Sequence, residues 1–184
     1  MQSEWLSEIK TTINARINSG NWPASYLLPL SESLGGKELG KYIAQKLMCT
    51  AQSEGVCGEC YACLSVEKEE HPDLMIIRSE PEQAVGVIKI DQLRAAIRRL
   101  SASPSVGASQ VMYIENCEQM TQQCANALLK TLEEPKQSLM IIMQTGLVKS
   151  LLPTIISRVF KERVEIKDSV CRSYIDHMVA DSRQ

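Results

Sequence analysis

No stretch of this 184-residue sequence is apolar for long enough to span a bilayer. Its first residues, Met1-Gln2-Ser3-Glu4-Trp5, offer no basic segment followed by an apolar core, so neither a membrane anchor nor a secretory signal is expected. An excess of one charge sign is missing as well. Basic and acidic residues are mixed along the chain at a net charge of −2, which removes any global electrostatic pull toward nucleic acid. Histidine is scarce: His71 and His177 stand in unrelated contexts, and no Ser/His/Asp or Cys/His nucleophilic set can be assembled. Repeats and low-complexity linkers are absent. Cysteine, by contrast, is plentiful. Seven cysteines without an export signal point to a reducing, cytoplasmic setting where thiols serve metals or packing.

The hydrophobic pattern alternates between helical and strand periods. Trp5, Ile9, Ile13 and Ile17 recur at helical spacing over 4–19, with Gly20 placed as a C-cap. Tyr26-Leu27-Leu28 reads as a buried strand, and Leu39, Ile43 and Leu47 mark a helix that runs into Cys49. Further strands are expected at Leu74–Ile77, covered on both faces, at Val111–Ile114, at Leu139–Met143 and, by alternation, at Arg163–Ile166. Between them lie helical patterns at Leu64–Glu70, after an N-cap at Asp91, from Thr121 to a stop at Pro135, near Lys149–Ile156 with Pro153 interrupting, and at Val170–Ala180. Pro81–Gly86 and Ser101–Ser109 read as loops, and Gln144-Thr145-Gly146 as a polar turn. Strands alternating with helices predict an α/β fold, a parallel sheet flanked by helices.

Two stretches carry chemistry. In the first, Cys49 is followed by Cys57-Gly58-Glu59-Cys60-Tyr61-Ala62-Cys63, four thiols in a short loop, which suits the tetrahedral set that structural zinc takes. With four protein ligands no position is left for water, so such a metal would staple a loop rather than catalyse. A redox Cys-x-x-Cys pair and plain buried thiols are the competing readings. Cys117, Cys124 and Cys171 read as packing residues.

The second stretch is the loop after the first strand. A working phosphate loop reads G-x-x-x-x-G-K-[ST], with amides on the phosphates, lysine on their outer oxygens and a hydroxyl on Mg²⁺. Here the frame is Ser31-Glu32-Ser33-Leu34-Gly35-Gly36-Lys37-Glu38, so the first glycine is serine and the hydroxyl has become a carboxylate. The Asp-Glu pair expected after a third strand is Glu115-Asn116. The site reads as unfit for hydrolysis. Weak nucleotide binding through Gly35, Gly36 and Lys37 stands beside a Gly-Gly turn with a solvated lysine.

Several segments together resemble the bacterial clamp-loader subunits of DNA polymerase III. They are Tyr113–Thr121, Ala125-Asn126-Ala127-Leu128-Leu129-Lys130-Thr131-Leu132-Glu133-Glu134-Pro135, the cysteine spacing, His71-Pro72-Asp73, Ile90–Arg94 and Ser157-Arg158. The resemblance covers roughly Trp5 to Ile166, and the altered loop points to the non-hydrolysing delta-prime branch rather than the tau/gamma ATPases. It implies an AAA+ core (P-loop NTPase-like) over 1–166 with the zinc module 49–63 inserted. It also implies the start of a small helical lid over 167–184, truncated before a collar, in a fragment or a shortened subunit. It implies partners: tau/gamma and delta subunits, the polymerase III holoenzyme, and through them the sliding clamp and primer-template DNA, with no membrane. Arg158 matches the arginine finger that acts on ATP bound by a neighbour, a role suited to a fixed, forked charge; a surface ion pair is the plainer reading. Thr145 matches the nucleotide-sensing polar residue at the tip of the fourth strand. Arg94, Arg98 and Arg99 share a helix that would face DNA phosphates or simply solvent. A tau/gamma-like ATPase and a zinc-stabilised interaction module, or one that binds nucleic acid, remain the alternatives.

Overall fold

The computed structural model of the chain describes residues 4–51, 53–79 and 86–164. Five strands, β1 (Ser25–Pro29), β2 (Leu74–Ile77), β3 (Gln110–Ile114), β4 (Leu139–Thr145) and β5 (Phe160–Lys161), form one sheet in the order β2-β3-β4-β1-β5, every pairing parallel. Six helices connect or flank them: α1 (Glu4–Asn18), α2 (Gly36–Met48), α3 (Tyr61–Glu67), α4 (Ile90–Arg99), α5 (Gln122–Glu133) and α6 (Pro153–Ile156). None of the described helices is long and apolar enough to cross a membrane.

Strand period sorts the core into two layers. Leu27, Met112, Ile114, Ile141 and Met143 pack with α4, α5 and α6 on one face, whereas Tyr26, Leu28, Val111, Tyr113 and Ile142 pack with α1, α2 and α3 on the other. Both faces of the central strands are therefore covered, as parallel sheets require. β2 lies at an edge, and its Met75 and Ile76 are only half-buried, less covered than the apolar run predicts.

Close approach explains why α2 carries two buried glycines. A Cβ on Gly36 would lie 2.2 Å from the Leu30 carbonyl oxygen, and one on Gly40 would lie 2.3 Å from the Tyr113 hydroxyl. Thr121 caps α5 by accepting from the Cys124 N–H at 3.1 Å, and Pro135 follows its end.

Local chemistry moves several predicted boundaries. Cys60 caps α3 with its sulfur, so that helix covers Tyr61–Glu67 instead of Leu64–Glu70. Lys89, not Asp91, caps α4, its N–H donating to Gln92 Oε1 at 2.9 Å. Gln144 and Thr145 are not a turn; they complete β4 and are fully buried. Pro153 opens α6 rather than interrupting a helix, since its ring suits a first turn. The last described strand is Phe160–Lys161, ahead of the predicted Arg163–Ile166. Pairing there is fixed by Glu162, which turns inward to accept from the Tyr26 hydroxyl at 2.7 Å and lies 3.6 Å from Arg16. Residues 165 and 166, the 170–180 helix, Cys171, the lid expected over 167–184 and the 80–85 part of the loop before α4 lie outside the described residues, as does the side chain of Trp5.

Candidate functional site

At the carboxyl ends of β1 and β4, connections leave the sheet in opposite directions, the place where open α/β sheets bind ligands. The loop after β1 occupies it, but the loop is folded on itself. The N–H groups of Leu34, Gly35 and Gly36 donate to Ser31 O, Glu32 O and Ser31 O at 3.1, 2.9 and 2.9 Å. Gly35 adopts a left-handed φ of 87°, which glycine tolerates without strain. Lys37 sits in the first turn of α2 with its ammonium 2.8 Å from Glu32 Oε1 and 3.5 Å from Glu115 Oε2. Its side chain is ion-paired and about one-third exposed, at 33%. Its hydrogen bond with Glu32 raises its pKa and lowers that of Glu32.

Asn116, at φ 44°, donates from its side chain to Glu32 Oε2 at 3.1 Å and from its backbone to Gln144 Oε1 at 2.8 Å. Gln144 in turn donates to Leu30 O at 2.6 Å, tying the ends of β1, β3 and β4 together. Thr145 is buried, and its Oγ1 accepts from the Leu147 N–H at 3.0 Å. Gly35, Gly36 and Lys37 follow β1, and the buried Thr145 lies at the end of β4, in register with Pro29 of β1.

Glu115 is buried between Lys37 and Arg78, whose Nε lies 3.7 Å from Oε2; Arg78 also pairs with Glu69. Burial raises the Glu115 pKa above the ordinary 4.5 while the Arg78 and Lys37 charges oppose the rise. A carboxyl raised in this way adds stability below its ordinary pKa, and that contribution is lost as pH climbs through the raised value. Glu115→Gln is therefore expected to be at least as stable as the parent chain at pH 7, with the advantage vanishing toward acid. Urea midpoints across pH test this; a variant weaker at neutral pH would show that the two cation contacts outweigh burial.

The four cysteines converge from the end of α2, the following loop and the start of α3. Their sulfurs all lie within 4.8 Å of one another, with Cys49–Cys57 at 3.5 Å, Cys57–Cys63 at 3.7 Å and Cys49–Cys60 at 4.0 Å. Ligands held about 2.3 Å from one tetrahedral ion are separated by about 3.8 Å, so the set fits a metal, and all four thiols are free. The Cys60 and Cys63 N–H groups donate to the sulfurs of Cys57 and Cys60, both at 3.4 Å. Hydrogen bonds lower the Cys57 pKa. Burial works against ionisation of Cys60, yet N–H groups of Cys63 and Thr50 bring it to about 6. Burial pushes Cys63 up. The cysteines are not confined to a loop: Cys60 caps α3 and Cys63 lies within its first turn. A helix start is equally what a redox pair would use, so what favours a metal is the mutual closeness of all four sulfurs. Cys117 and Cys124 are fully buried packing residues.

Arg158 stands elsewhere, on the turn after α6. Its Nη2 lies 2.7 Å from Glu133 Oε1, and its Nη1 donates to Thr154 O at 2.9 Å and Ser157 Oγ at 3.2 Å. Two residues later Phe160 pairs with Tyr26, near the start of β1, whereas the Ser31–Lys37 loop follows the other end of that strand. Arg94, Arg98 and Arg99 are exposed on α4; Arg94 lies 3.8 Å from Asp91, and Arg99 donates to Pro72 O at 3.2 Å.

Sequence reasoning missed several arrangements. Glu32 pairs with a lysine five residues on, a spacing that no helix or strand period marks. Gln144 hides in a run that reads as a turn. His71-Pro72-Asp73 gives a family resemblance, but its task becomes visible only here. His71 Nδ1 accepts from the Asp73 N–H at 3.1 Å, and the Asp73 carboxylate accepts from the Ser105 and Val106 N–H groups, both at 2.7 Å, fastening the 101–109 loop.

The sequence model of the family described as "DNA polymerase III, delta subunit" matches residues 5–168. The DNA polymerase III subunit delta' of Haemophilus influenzae is 33% identical over 154 residues, 84% of this chain and 46% of that protein. The subunit delta' of Pseudomonas aeruginosa is 36% identical over 135 residues, 73% of this chain and 40% of that protein. Among solved structures, a DNA polymerase III gamma subunit-related protein from Thermotoga maritima superposes with a TM-score of 0.62 at 28% identity, covering 90% of this chain and 47% of that one. The chain spans about half the length of the curated relatives it matches.

Proposed function

Since this chain belongs to the delta-prime family of DNA polymerase III clamp-loader subunits and has an AAA+-type core, we propose that it serves in clamp loading without hydrolysing ATP itself. In this reading it lends Arg158 to ATP held by a neighbouring tau/gamma-type subunit, and the complex acts on the sliding clamp and primer-template DNA.

The observation that carries the reading is the state of the loop after β1. Its amides donate to its own carbonyls, and Lys37 faces Glu32 and Glu115. Ser31 and Glu38 stand where glycine and a metal-binding hydroxyl would be needed. A triphosphate arriving there would meet carboxylates in place of donors, so the frame is a degenerate phosphate loop. Arg158, by contrast, is partly exposed near the opposite end of β1, too far along the strand to serve its own loop and open to a neighbour. Cys49, Cys57, Cys60 and Cys63 would hold one zinc ion, which when bound staples α2 to α3 and leaves no open position for chemistry.

Native mass spectrometry of this chain with its organism's gamma-type ATPase subunit, with zinc retained, tests the reading. A complex carrying one zinc per copy of this chain is expected. Steady ATP turnover by the chain alone, abolished by Lys37→Ala, would overturn the reading in favour of a tau/gamma-like ATPase.

A further inference from the structure

Among the described residues, Lys46 is the only lysine or arginine in the buried set, at 6% exposure. It lies in the last turn of α2, three residues before Cys49. Its ammonium donates to Ser53 O at 2.6 Å and to Gly55 O at 3.2 Å, both on the stretch that joins Cys49 to Cys57. Among the described residues no carboxylate lies within ion-pairing distance of it. A buried cation lacking an opposite charge is costly, and two carbonyl dipoles offset only part of that cost.

The missing charge has a candidate next door. Lys46, Cys49 and Ser53 line one solvent-open groove of about 540 Å³. Four thiolates around one divalent ion carry a net charge of −2. We infer that Lys46 is a positioning residue for the metal, pinning the Cys49–Cys57 connection and supplying a positive charge that favours the filled tetrathiolate site. The inference rests on the zinc reading above. It also assigns a division of labour. Asn18 pins the same stretch, donating to Glu54 O at 3.1 Å, but does so without charge.

Zinc affinity of the full chain, measured by competition with a chromophoric chelator, tests it. Lys46→Met is expected to weaken binding about 10–100-fold, the usual cost of losing a group that supports metal ligands. Lys46→Arg should retain most of the affinity, and Asn18→Ala should change it little. Far-UV circular dichroism of the metal-free variants shows whether the fold is intact, with Lys46→Gln as the substitute should Lys46→Met fail to fold. Parental affinity in the folded neutral variant would overturn the inference while leaving the zinc reading standing. A loss in Asn18→Ala as large as in Lys46→Met would reduce Lys46 to a loop pin and overturn the charge role. A parent chain that binds no zinc would remove the zinc reading itself.

Discussion

Replacing Arg158 by alanine is expected to lower ATP turnover by about 10³-fold or more at the neighbour's site that it completes, the range measured when an arginine finger is removed. The expectation depends on where the residue stands. Its guanidinium contacts Glu133, Thr154 O and Ser157 on an exposed turn, so truncation should cost the chain itself only about 0.5 kcal/mol or less. Assembly, followed by native mass spectrometry, should therefore survive the substitution while turnover collapses. Arg158→Lys should be impaired as well, because an ammonium does not reproduce the planar fork. Lys37→Ala in this chain should leave the complex's turnover unchanged. If Arg158→Ala turns over ATP at the parental rate, the finger role is lost and the arginine is a surface ion-pair residue.

The second large effect concerns the cysteine cluster. With free zinc about 1,000-fold above its dissociation constant, binding to the folded state alone adds about 4.1 kcal/mol. In a chain of this size each kcal/mol moves the thermal midpoint by about 2–4 °C, so chelation should lower it by roughly 8–16 °C. Cys63→Ser should do at least as much, because Cys63 is buried inside α3 and contributes packing as well as a ligand. Loss of protection from hydrogen exchange should concentrate between Cys49 and Glu67, leaving the sheet protected. Cys124→Ala should leave zinc stoichiometry at one, since Cys124 packs in the layer on the other face of the sheet. An unchanged midpoint on chelation would mean that the four thiols close the module without a metal.

The parallel sheet and the cysteine quartet were legible because each rests on a local pattern. Continuous apolar runs mark the covered strands, and C-x-x-C-x-x-C with a fourth cysteine nearby marks a shared centre. The errors fall where a side chain acts against its type. Cysteine caps a helix at Cys60, lysine precedes a helix at Lys89, and glutamate turns inward at Glu162 beside Tyr26. At Cys60 a thiol acts as the acceptor, at Lys89 the Gln92 side chain three residues on takes the cap N–H, and at Glu162 a partner distant in sequence decides, each outweighing ordinary propensity. The loop after β1 was legible in composition but not in state. Its altered residues could be read off, whereas the pairing of Lys37 with Glu32 and Glu115 depends on β3 ending beside α2. Lys46 gave no signal at all, because a lysine on a helix facing solvent and one facing a cysteine loop look alike in one dimension.

The placement of Arg158 and the loop along β1 also bears on how such a chain changes by descent. The Ser31–Glu38 stretch is held by Gln144, Asn116 and Glu115; the seat of Arg158 is built from α5 and α6. No residue belongs to both sets. Under the proposed reading, substitutions that alter the loop after β1 would leave the seat of Arg158 undisturbed, so a lineage could lose nucleotide binding there and still keep the finger.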